Sequence, residues 1–336
     1  MRGVSGFEYS FSDEIIKLMS PYCDKCFVDS LGNVVAVKEC GKKDALKIMI
    51  EGHIDEIGLM VSGIDKNGFI SFVSVGGIDN RILPSSEVIV HGSKDIRGII
   101  GAKPPHLQNA EESKKPMKIE DMSVDTGFDY DELSQIVRVG TPITFEQSVG
   151  EMLGDSLSLK ALDDRAGVAV VIDVLRRINQ ANIKADLYFV ATVQEEVGLR
   201  GAKTAANLIA PDICISIDVC HGTTPDNSSD AFECGSGVII SRGPNIHPAV
   251  AKKLIDTAST NDISFQIDVD GGTTGTNAWA IQISGVGVAT ALISLPLKYM
   301  HNPVETMNMA DINAASDLLV RFLEQIDDDT EEWLCL

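Results

Sequence analysis

Four short apolar runs, rich in β-branched residues, stand out along the chain. They occupy Lys47 to Glu51, Leu187 to Val193, Ile213 to Val219 and Val286 to Ser294. A continuous apolar run of this length is typical of a strand that is buried on both faces of a sheet. The pattern therefore predicts four buried strands.

Helical periodicity appears between and after these runs. The i, i+3, i+4, i+7 spacing of one helix face is followed by Val168, Val171, Ile172, Leu175 and Ile178, and again by Ile312, Ala315, Leu319, Phe322 and Ile326. Pro248 stands where a first-turn proline would begin a third helix through residues 249–257. The alternation of strands and helices predicts an α/β fold, in which a mixed sheet carries helices on both faces.

The stretch from residue 61 to residue 150 has a different pattern. Short β-like runs separated by Gly, Pro and Asn turns, with no clear helical period, lie at Phe69 to Val73, Glu87 to Val90 and Ile136 to Val139. The simplest organisation is a discontinuous α/β domain of residues 1–60 and 151–336, with a small barrel-like β domain of residues 61–150 inserted in it. Residues 103–105 and 111–115 predict an exposed loop inside the insert.

The composition of the 336-residue chain excludes several classes of function. Lys and Arg total 28 against 49 Asp and Glu, so the formal net charge is −21. Such an acidic chain is unsuited to phosphate backbones and anionic membranes, and we expect neither nucleic-acid nor membrane partners. No apolar leader and no run of about 20 apolar residues is present, which predicts a soluble cytoplasmic protein. The scattered cysteines predict reduced thiols, and Cys23 and Cys26 form a lone CxxC pair without further metal ligands.

Acids and histidines lie just past the carboxyl ends of the predicted strands, where open α/β sheets place their ligand sites. His53 and Asp55 follow the first strand, and this spacing puts both side chains on one face, so that the carboxylate can orient a metal-binding imidazole. Glu195 and Glu196 end the second strand, and His301 follows the last one. Taken singly, each residue could equally be a solvated or structural group.

Two further carboxylates extend the pattern. Asp163 precedes a strong helix, where it could be a capping residue, and Asp218 is a lone acid in an apolar run, where burial without a partner is costly. Imidazoles and carboxylates without thiolates suit Zn²⁺, Co²⁺ or Mn²⁺. A bridging aspartate would hold two ions about 3.5–4 Å apart. Such a pair of ions can promote the hydrolysis of an acyl bond, and a glutamate that does not bind the ions can then take up and return the proton.

These motifs resemble those of the M42 metallo-aminopeptidases, the glutamyl or tetrahedral aminopeptidase family, over nearly the whole chain. The matching segments are Gly52-His53-Ile54-Asp55-Glu56, Val75-Gly76-Gly77, Gly101-Ala102-Lys103-Pro104-Pro105-His106, Leu162-Asp163-Asp164-Arg165, Glu195-Glu196-Val197-Gly198 and Pro296-Leu297-Lys298-Tyr299-Met300-His301. The resemblance implies a zinc-peptidase-like catalytic domain that removes N-terminal residues from peptides. It also implies two divalent ions per subunit, Zn²⁺ or Co²⁺ first and Mn²⁺ as an alternative.

The same resemblance implies a role for each site residue. One ion would be held by His53, Asp163 and Asp218, and the other by Asp163, Glu196 and His301. Glu195 would be the general base for a water that bridges the ions, and Asp55 would orient His53. A cis peptide bond is implied between Asp163 and Asp164. The insert would be a dimerisation domain, and the dimers would assemble into a hollow tetrahedral dodecamer.

One departure from the family pattern is visible at Thr276 and Asn277. Many members read Gly-Thr-Asp-Ala where this chain reads Gly275-Thr276-Asn277-Ala278, so an amide replaces a carboxylate near the expected substrate pocket. We expect both residues to contact the substrate. The lost charge predicts a neutral or broad preference at the N-terminal residue rather than a preference for Lys or Arg.

Three other functions stay open at this point. An M20-like carboxypeptidase or aminoacylase has the same order of ligands, but it inserts its extra domain later, whereas here the insert separates His53 from Asp163. An endo-1,4-β-glucanase, a name that some family members carry, needs two carboxyl groups about 5–9.5 Å apart across a sugar linkage. Glu195 and Glu196 are adjacent and would point to opposite faces of a strand. A non-catalytic scaffold is disfavoured by the complete ligand set.

Overall fold

The computed structural model describes residues 2–109, 115–147, 149–227, 231–327 and 329–334. Its strands are β1 (Lys25–Val28), β2 (Val34–Lys38), β3 (Lys47–His53), β4 (Gly58–Ile64), β5 (Ile70–Val75), β6 (Glu87–His91), β7 (Asp95–Ile100), β8 (Val124–Asp125), β9 (Pro142–Phe145), β10 (Gly150–Glu151), β11 (Ser156–Ser158), β12 (Asp186–Thr192), β13 (Ile213–His221), β14 (Val238–Arg242), β15 (Phe265–Val269), β16 (Ala289–Leu297) and β17 (Thr306–Asn308). Its helices are α1 (Tyr9–Met19), α2 (Tyr130–Ile136), α3 (Leu162–Arg177), α4 (Arg200–Ile209), α5 (Pro248–Thr260), α6 (Asn277–Gln282), α7 (Met309–Leu323) and α8 (Thr330–Leu334).

An eight-stranded mixed sheet forms the centre of the fold, in the order β1-β2-β12-β3-β13-β16-β14-β15. Its four central strands, β12, β3, β13 and β16, run parallel, and each contains all or most of one apolar run of the sequence. Parallel strands need cover on both faces because both are apolar. Helices α1, α3, α5 and α7 pack against one face, and α4 and α6 pack against the other. The predicted fold class is confirmed.

The three predicted helices are also present and correspond to α3, α5 and α7, although Ile178 and Ile326 lie just beyond the ends of α3 and α7. Pro248 is the first residue of α5, where its fixed φ and missing N–H cost nothing. The fourth strand begins three residues later than predicted, because Val286 is fully exposed and pairing starts at Ala289. The apolar run therefore predicted the strand correctly but not the residue at which it begins.

A closed antiparallel barrel, β4-β5-β8-β7-β6-β9, lies between residues 58 and 145. It has a hydrophobic core of its own, which includes Val61, Phe72, Val88 and Ile100. Two of the β-like runs of the sequence lie largely in β5 and β6. The limits 61–150 and the dimerisation role of this insert stay predictions.

The third β-like run in the insert was predicted wrongly. Ile136 ends helix α2, and the next strand, β9, starts only at Pro142. Asp129 caps α2 by accepting the backbone N–H of Glu132 at 2.9 Å. A helix of seven residues is too short to show a hydrophobic period.

In the loop that was predicted to be exposed, Lys103 and Pro104 are exposed, and residues 111–114 lie outside the described ranges.

The N-terminal segment, residues 3–8, runs alongside the residues that follow β3. Val4 forms a parallel bridge with Glu56. The backbone N–H of Ser5 donates to the carbonyl oxygen of Glu56 at 3.2 Å, and the N–H of Glu56 donates to that of Gly3 at 2.8 Å. The segment is thereby fixed next to the carboxyl edge of the sheet.

No helix within the described ranges has the length and apolar character needed to cross a membrane. Six cysteines fall within these ranges, Cys23 and Cys26 among them, and all six are free.

Candidate active site

Five of the predicted site residues meet at the carboxyl edge of the parallel strands. His53 is the last residue of β3, Asp218 lies in β13, and Asp163 lies in the first turn of α3, while Glu196 and His301 follow β12 and β16. Within two sets of three, the ligand atoms all lie within 4.8 Å of one another. We call His53, Asp163 and Asp218 the His53 triad, and Asp163, Glu196 and His301 the His301 triad.

Asp163 belongs to both triads, and its two carboxylate oxygens face different histidines. Oδ1 lies 3.1 Å from Nε2 of His53, and Oδ2 lies 3.4 Å from Nε2 of His301. Oε2 of Glu196 is also 3.4 Å from Nε2 of His301. A carboxylate with one oxygen toward each imidazole can bridge two cations. The peptide bond from Asp163 to Asp164 is cis, as the resemblance implies.

The donor set fits divalent cations. Asp163 and Asp218 are each 5% exposed and His53 is 1% exposed, so the carboxylates have little water to solvate their charge. Burial, reinforced by neighbouring carboxylates, raises the pKa of Asp218 and that of Glu196. Bound cations would lower both of these pKa values, because they place positive charge next to the buried carboxylates. Either triad could therefore hold a divalent ion.

Asp55 lies behind His53 and is fully buried. Its Oδ1 is 3.4 Å from Nδ1 of His53, so that Nε2 is the ring nitrogen that faces Asp163. The same carboxylate accepts the backbone N–H of Glu195 at 3.0 Å and that of Glu196 at 3.2 Å. Asp55 thus fixes a triad imidazole and also the turn that carries both glutamates.

Two residues of the N-terminal segment support this turn, and the sequence analysis missed both. Ser5 Oγ donates to Oδ2 of Asp55 at 2.5 Å, and Oε1 of Glu8 accepts the backbone N–H of Gln194 at 3.0 Å. Burial raises the pKa of Glu8 to about 7. No periodicity or spacing marks these positions, because their partners come from distant parts of the chain.

Glu195 lines the cleft beside the triads without belonging to either. Burial raises the pKa of its carboxyl to about 8, with His53 opposing the rise and Glu196 and Asp163 adding to it. A carboxyl group that titrates near neutrality, next to a candidate metal centre, is suited to accept a proton and to return it.

The site opens into a cleft of about 590 Å³, which is within the usual range of roughly 300–1,000 Å³ for small-ligand sites. Its wall includes Glu195 and every triad member except His53, together with Phe232, Asp268, Thr274 and Met300. Lys and Arg are absent from the described residues that line it. Apart from the imidazoles of His221 and His301, the ionisable oxygen and nitrogen groups of the described wall are therefore carboxylates.

Thr276 lines the cleft, but Asn277 does not, so this part of the prediction is wrong. Asn277 is 1% exposed and begins α6. Its Nδ2 donates to Oε2 of Glu51 at 2.8 Å and to Oγ1 of Thr192 at 3.0 Å. The amide serves a buried hydrogen-bond network, so a missing carboxylate at position 277 says nothing about the charge of the cleft wall.

Comparison with known proteins agrees with this geometry. The family model described as M42 glutamyl aminopeptidase matches residues 32–318. A putative aminopeptidase of Acetivibrio thermocellus is 38% identical over 326 residues, covering 95% of this chain and 94% of that protein. The lysyl aminopeptidase of Pyrococcus furiosus is 33% identical, covering 96% of this chain and 94% of that protein.

Solved structures are similar over the same length. A TET aminopeptidase from a marine-sediment Thaumarchaeota archaeon has a TM-score of 0.93 at 30% identity, covering 99% of this chain and 96% of that one. The TET1 peptidase of Pyrococcus horikoshii, described as assembling into a tetrahedron or a large octahedral shell, has a TM-score of 0.85 at 31% identity and covers 97% of each chain. A Thermotoga maritima protein described as an endoglucanase has a TM-score of 0.78 at 31% identity, covering 99% of this chain and 96% of that one.

Proposed function

Since the chain belongs to the M42 glutamyl aminopeptidase family and is therefore a peptidase, we propose that it is a dinuclear metal-dependent aminopeptidase that removes the N-terminal residue from peptides. One observation carries this proposal: Asp163 is shared by two triads of potential ligands, with one oxygen toward each histidine. A single-ion site would have no use for the second triad.

The two triads supply nitrogen and oxygen ligands, which suit Zn²⁺ or Co²⁺ and, as an alternative, Mn²⁺. When bound, a pair of such ions would polarise the scissile carbonyl and lower the pKa of a water shared between them. Asp55 keeps Nε2 of His53 directed at Asp163, and that aspartate, Glu196, Asp218 and His301 complete the ligand set.

Glu195 is the general base in this proposal. It takes the proton of the attacking water and returns it to the nitrogen of the leaving peptide. The hydrogen bond from its backbone N–H to Asp55 supports this role, because it fixes the main chain of the glutamate beside the triads. The raised pKa of its carboxyl, about 8, favours the return of the proton to the leaving nitrogen.

The acidic cleft suits a positively charged N-terminal amine and an uncharged or basic first side chain. Asp268, on the cleft wall outside both triads, would repel an acidic side chain and attract a basic one. Thr276 would contact the substrate from the same wall. The lysyl specificity in the name of the Pyrococcus furiosus relative supports this substrate class.

We further propose that the chain acts as a homo-oligomer, in which dimers joined through the inserted barrel assemble into a tetrahedral dodecamer. The described assemblies of the Pyrococcus horikoshii peptidase support this arrangement. Exposed apolar side chains on the barrel, Phe69, Val73 and Ile99, also support a covered surface there. The free cysteines support a cytoplasmic location, because thiols stay reduced in the cytoplasm.

Glucanase activity is a weaker candidate, which the name of the Thermotoga maritima neighbour raises. Sugar-binding sites use aromatic platforms, and Phe232 is the one aromatic side chain among the described residues that line the cleft. The backbone N–H groups of both glutamates are held by the same carboxylate of Asp55, so the two residues stay on one turn and do not face each other across a sugar linkage.

A panel of aminoacyl-p-nitroanilides, assayed in turn with Zn²⁺, Co²⁺ and Mn²⁺, tests the proposal. We expect release of p-nitroaniline that requires one of these ions and a free N-terminal amine, and that is lost on chelation. Reducing-sugar release from cellulose that is present in the wild type and lost in Glu195→Gln, without any peptidase activity, would replace the aminopeptidase by the glucanase.

A further inference from the structure

Glu305 lies beneath the His301 triad but belongs to neither triad. It is 2% exposed. Its Oε2 accepts the backbone N–H of Asp163 at 3.2 Å, and its Oε1 accepts the backbone N–H of His301 at 3.1 Å. One buried carboxylate therefore joins the backbone of the shared aspartate to the backbone of the cleft histidine.

Both of these backbone positions are irregular. His301 has a φ of 58°, in the left-handed region, which is unfavourable for a non-glycine residue. Asp163 has φ −77° and ψ 104°, which is not helical although it lies within the bounds of α3. Neither N–H is paired in a strand or helix, so the Glu305 carboxylate supplies the partner that regular secondary structure would otherwise supply.

Glu305 is itself fixed from the other side. Its carbonyl oxygen accepts the backbone N–H of Leu159 at 3.0 Å. The next residue, Thr306, begins β17, which pairs with β11 in a small separate sheet. The carboxylate thus projects from the residue before β17 toward the backbone of Asp163 and that of His301.

We propose that Glu305 is a positioning residue that sets the separation of Asp163 and His301, and so controls whether the His301 triad holds its ion. This inference rests on the proposed function, because it takes the triads to be metal ligands. Glu305 holds the backbone of two members of the His301 triad but of only one member, Asp163, of the His53 triad. In the latter, His53 contacts Asp55 and Asp218 lies within a central strand. Loss of the Glu305 carboxylate should therefore weaken the binding of the ion in the His301 triad much more than that of the ion in the His53 triad.

The test is a Co²⁺ titration of the full chain, followed by calorimetry and visible absorption, for the wild type, Glu305→Gln and Glu305→Asp. We expect two ions in the wild type. Glu305→Gln should retain one tight ion and bind the second about 10- to 100-fold more weakly, the range usual for groups that orient metal ligands. Glu305→Asp keeps the charge on a shorter stem and should restore part of the second affinity.

Asp311→Asn is the matched control. Asp311 is fully buried, and its carboxylate accepts the backbone N–H groups of Gly235 at 2.7 Å and Gly237 at 2.8 Å, away from both triads. This variant should lose thermal stability but keep both ions. A general loss of packing would instead lower the affinity for both ions equally, in Glu305→Gln and in Asp311→Asn alike.

Two results would overturn the inference: wild-type affinity for both ions in Glu305→Gln, or parallel loss of both ions in that variant. If Glu305→Gln does not fold, Glu305→Asp decides, because unchanged affinity for the second ion in it would contradict the positioning role. A wild type that binds two ions and cleaves no peptide would refute the proposed function while leaving the role of Glu305 to be judged by the titration.

Discussion

The hydroxyl of Ser5 donates a 2.5 Å hydrogen bond to the carboxylate of Asp55, and both side chains are buried. The same carboxylate accepts the backbone N–H groups of Glu195 and Glu196. A residue of the N-terminal segment is thereby connected, through one acid, to the two glutamates of the cleft.

Ser5→Ala should lower kcat about tenfold with little change in KM. The substitution leaves one oxygen of Asp55 short of a buried donor, and such a loss costs about 1–3 kcal/mol. Steady-state kinetics on one good p-nitroanilide substrate would measure it. Ser12→Ala is the control, because Ser12 is also a buried serine and its hydroxyl has no partner in the described ranges. Kinetics of Ser5→Ala that match those of Ser12→Ala would contradict the connection.

Glu195→Gln should abolish turnover and keep the bound ions, whereas His301→Ala should lose activity and metal together. The reason is that Glu195 lies outside both triads and His301 lies inside one of them. Turnover assays and elemental analysis of the same purified samples would separate the two cases. Equal loss of metal in both variants would contradict the roles assigned here.

Asp268→Asn should reduce the ratio of kcat/KM for lysyl over leucyl p-nitroanilide several-fold. The substitution removes the one carboxylate of the described cleft wall that is neither a triad member nor Glu195. Asp256→Asn, on the exposed surface of α5, makes the same change in net charge and should leave the ratio unaltered. An identical shift in both variants would assign the effect to net charge, not to the wall of the cleft.

Glu8 should make stability depend on pH between about 4.5 and 7. Its folded-state pKa is raised to about 7 by burial, so the folded protein binds this proton more tightly than the unfolded chain does. The contribution is full below about 4.5 and is lost as the pH rises through 7. The free energy of unfolding of the wild type, relative to Glu8→Gln, should therefore fall over this window by on the order of 3 kcal/mol at most.

Urea unfolding of both proteins at several pH values, under one fixed metal condition, would measure this difference. A difference that stays constant from pH 5 to pH 7 would show that the carboxyl of Glu8 titrates normally in the folded protein.

The residues of the triads could be predicted from the sequence for a physical reason. His53, Asp218 and the glutamates stand at or near the ends of strongly apolar runs, and parallel strands bring their carboxyl ends to one edge. The resemblance then assigned each residue to one ion or the other. The sheet, the helices on both faces and the barrel character of the insert followed from the same apolar patterns.

The supporting residues could not be predicted in this way. Ser5, Glu8 and Glu305 act on backbone N–H groups, and the partner of such a group depends on where distant segments pack. Asn277 was misplaced for a related reason, since its position near a cleft motif did not reveal that its side chain turns toward Glu51. Helix α2 was missed because a short helix depends on its Asp129 cap more than on a periodic apolar face.

The triads draw their side chains from five separate segments, between residue 53 and residue 301. Contacts of such long sequence separation form late in folding, after loops of many residues have closed. A chain that is still unfolded, or in which residue 301 has not yet been synthesised, has no complete His301 triad. The complete candidate site therefore exists only in a chain whose central sheet has assembled.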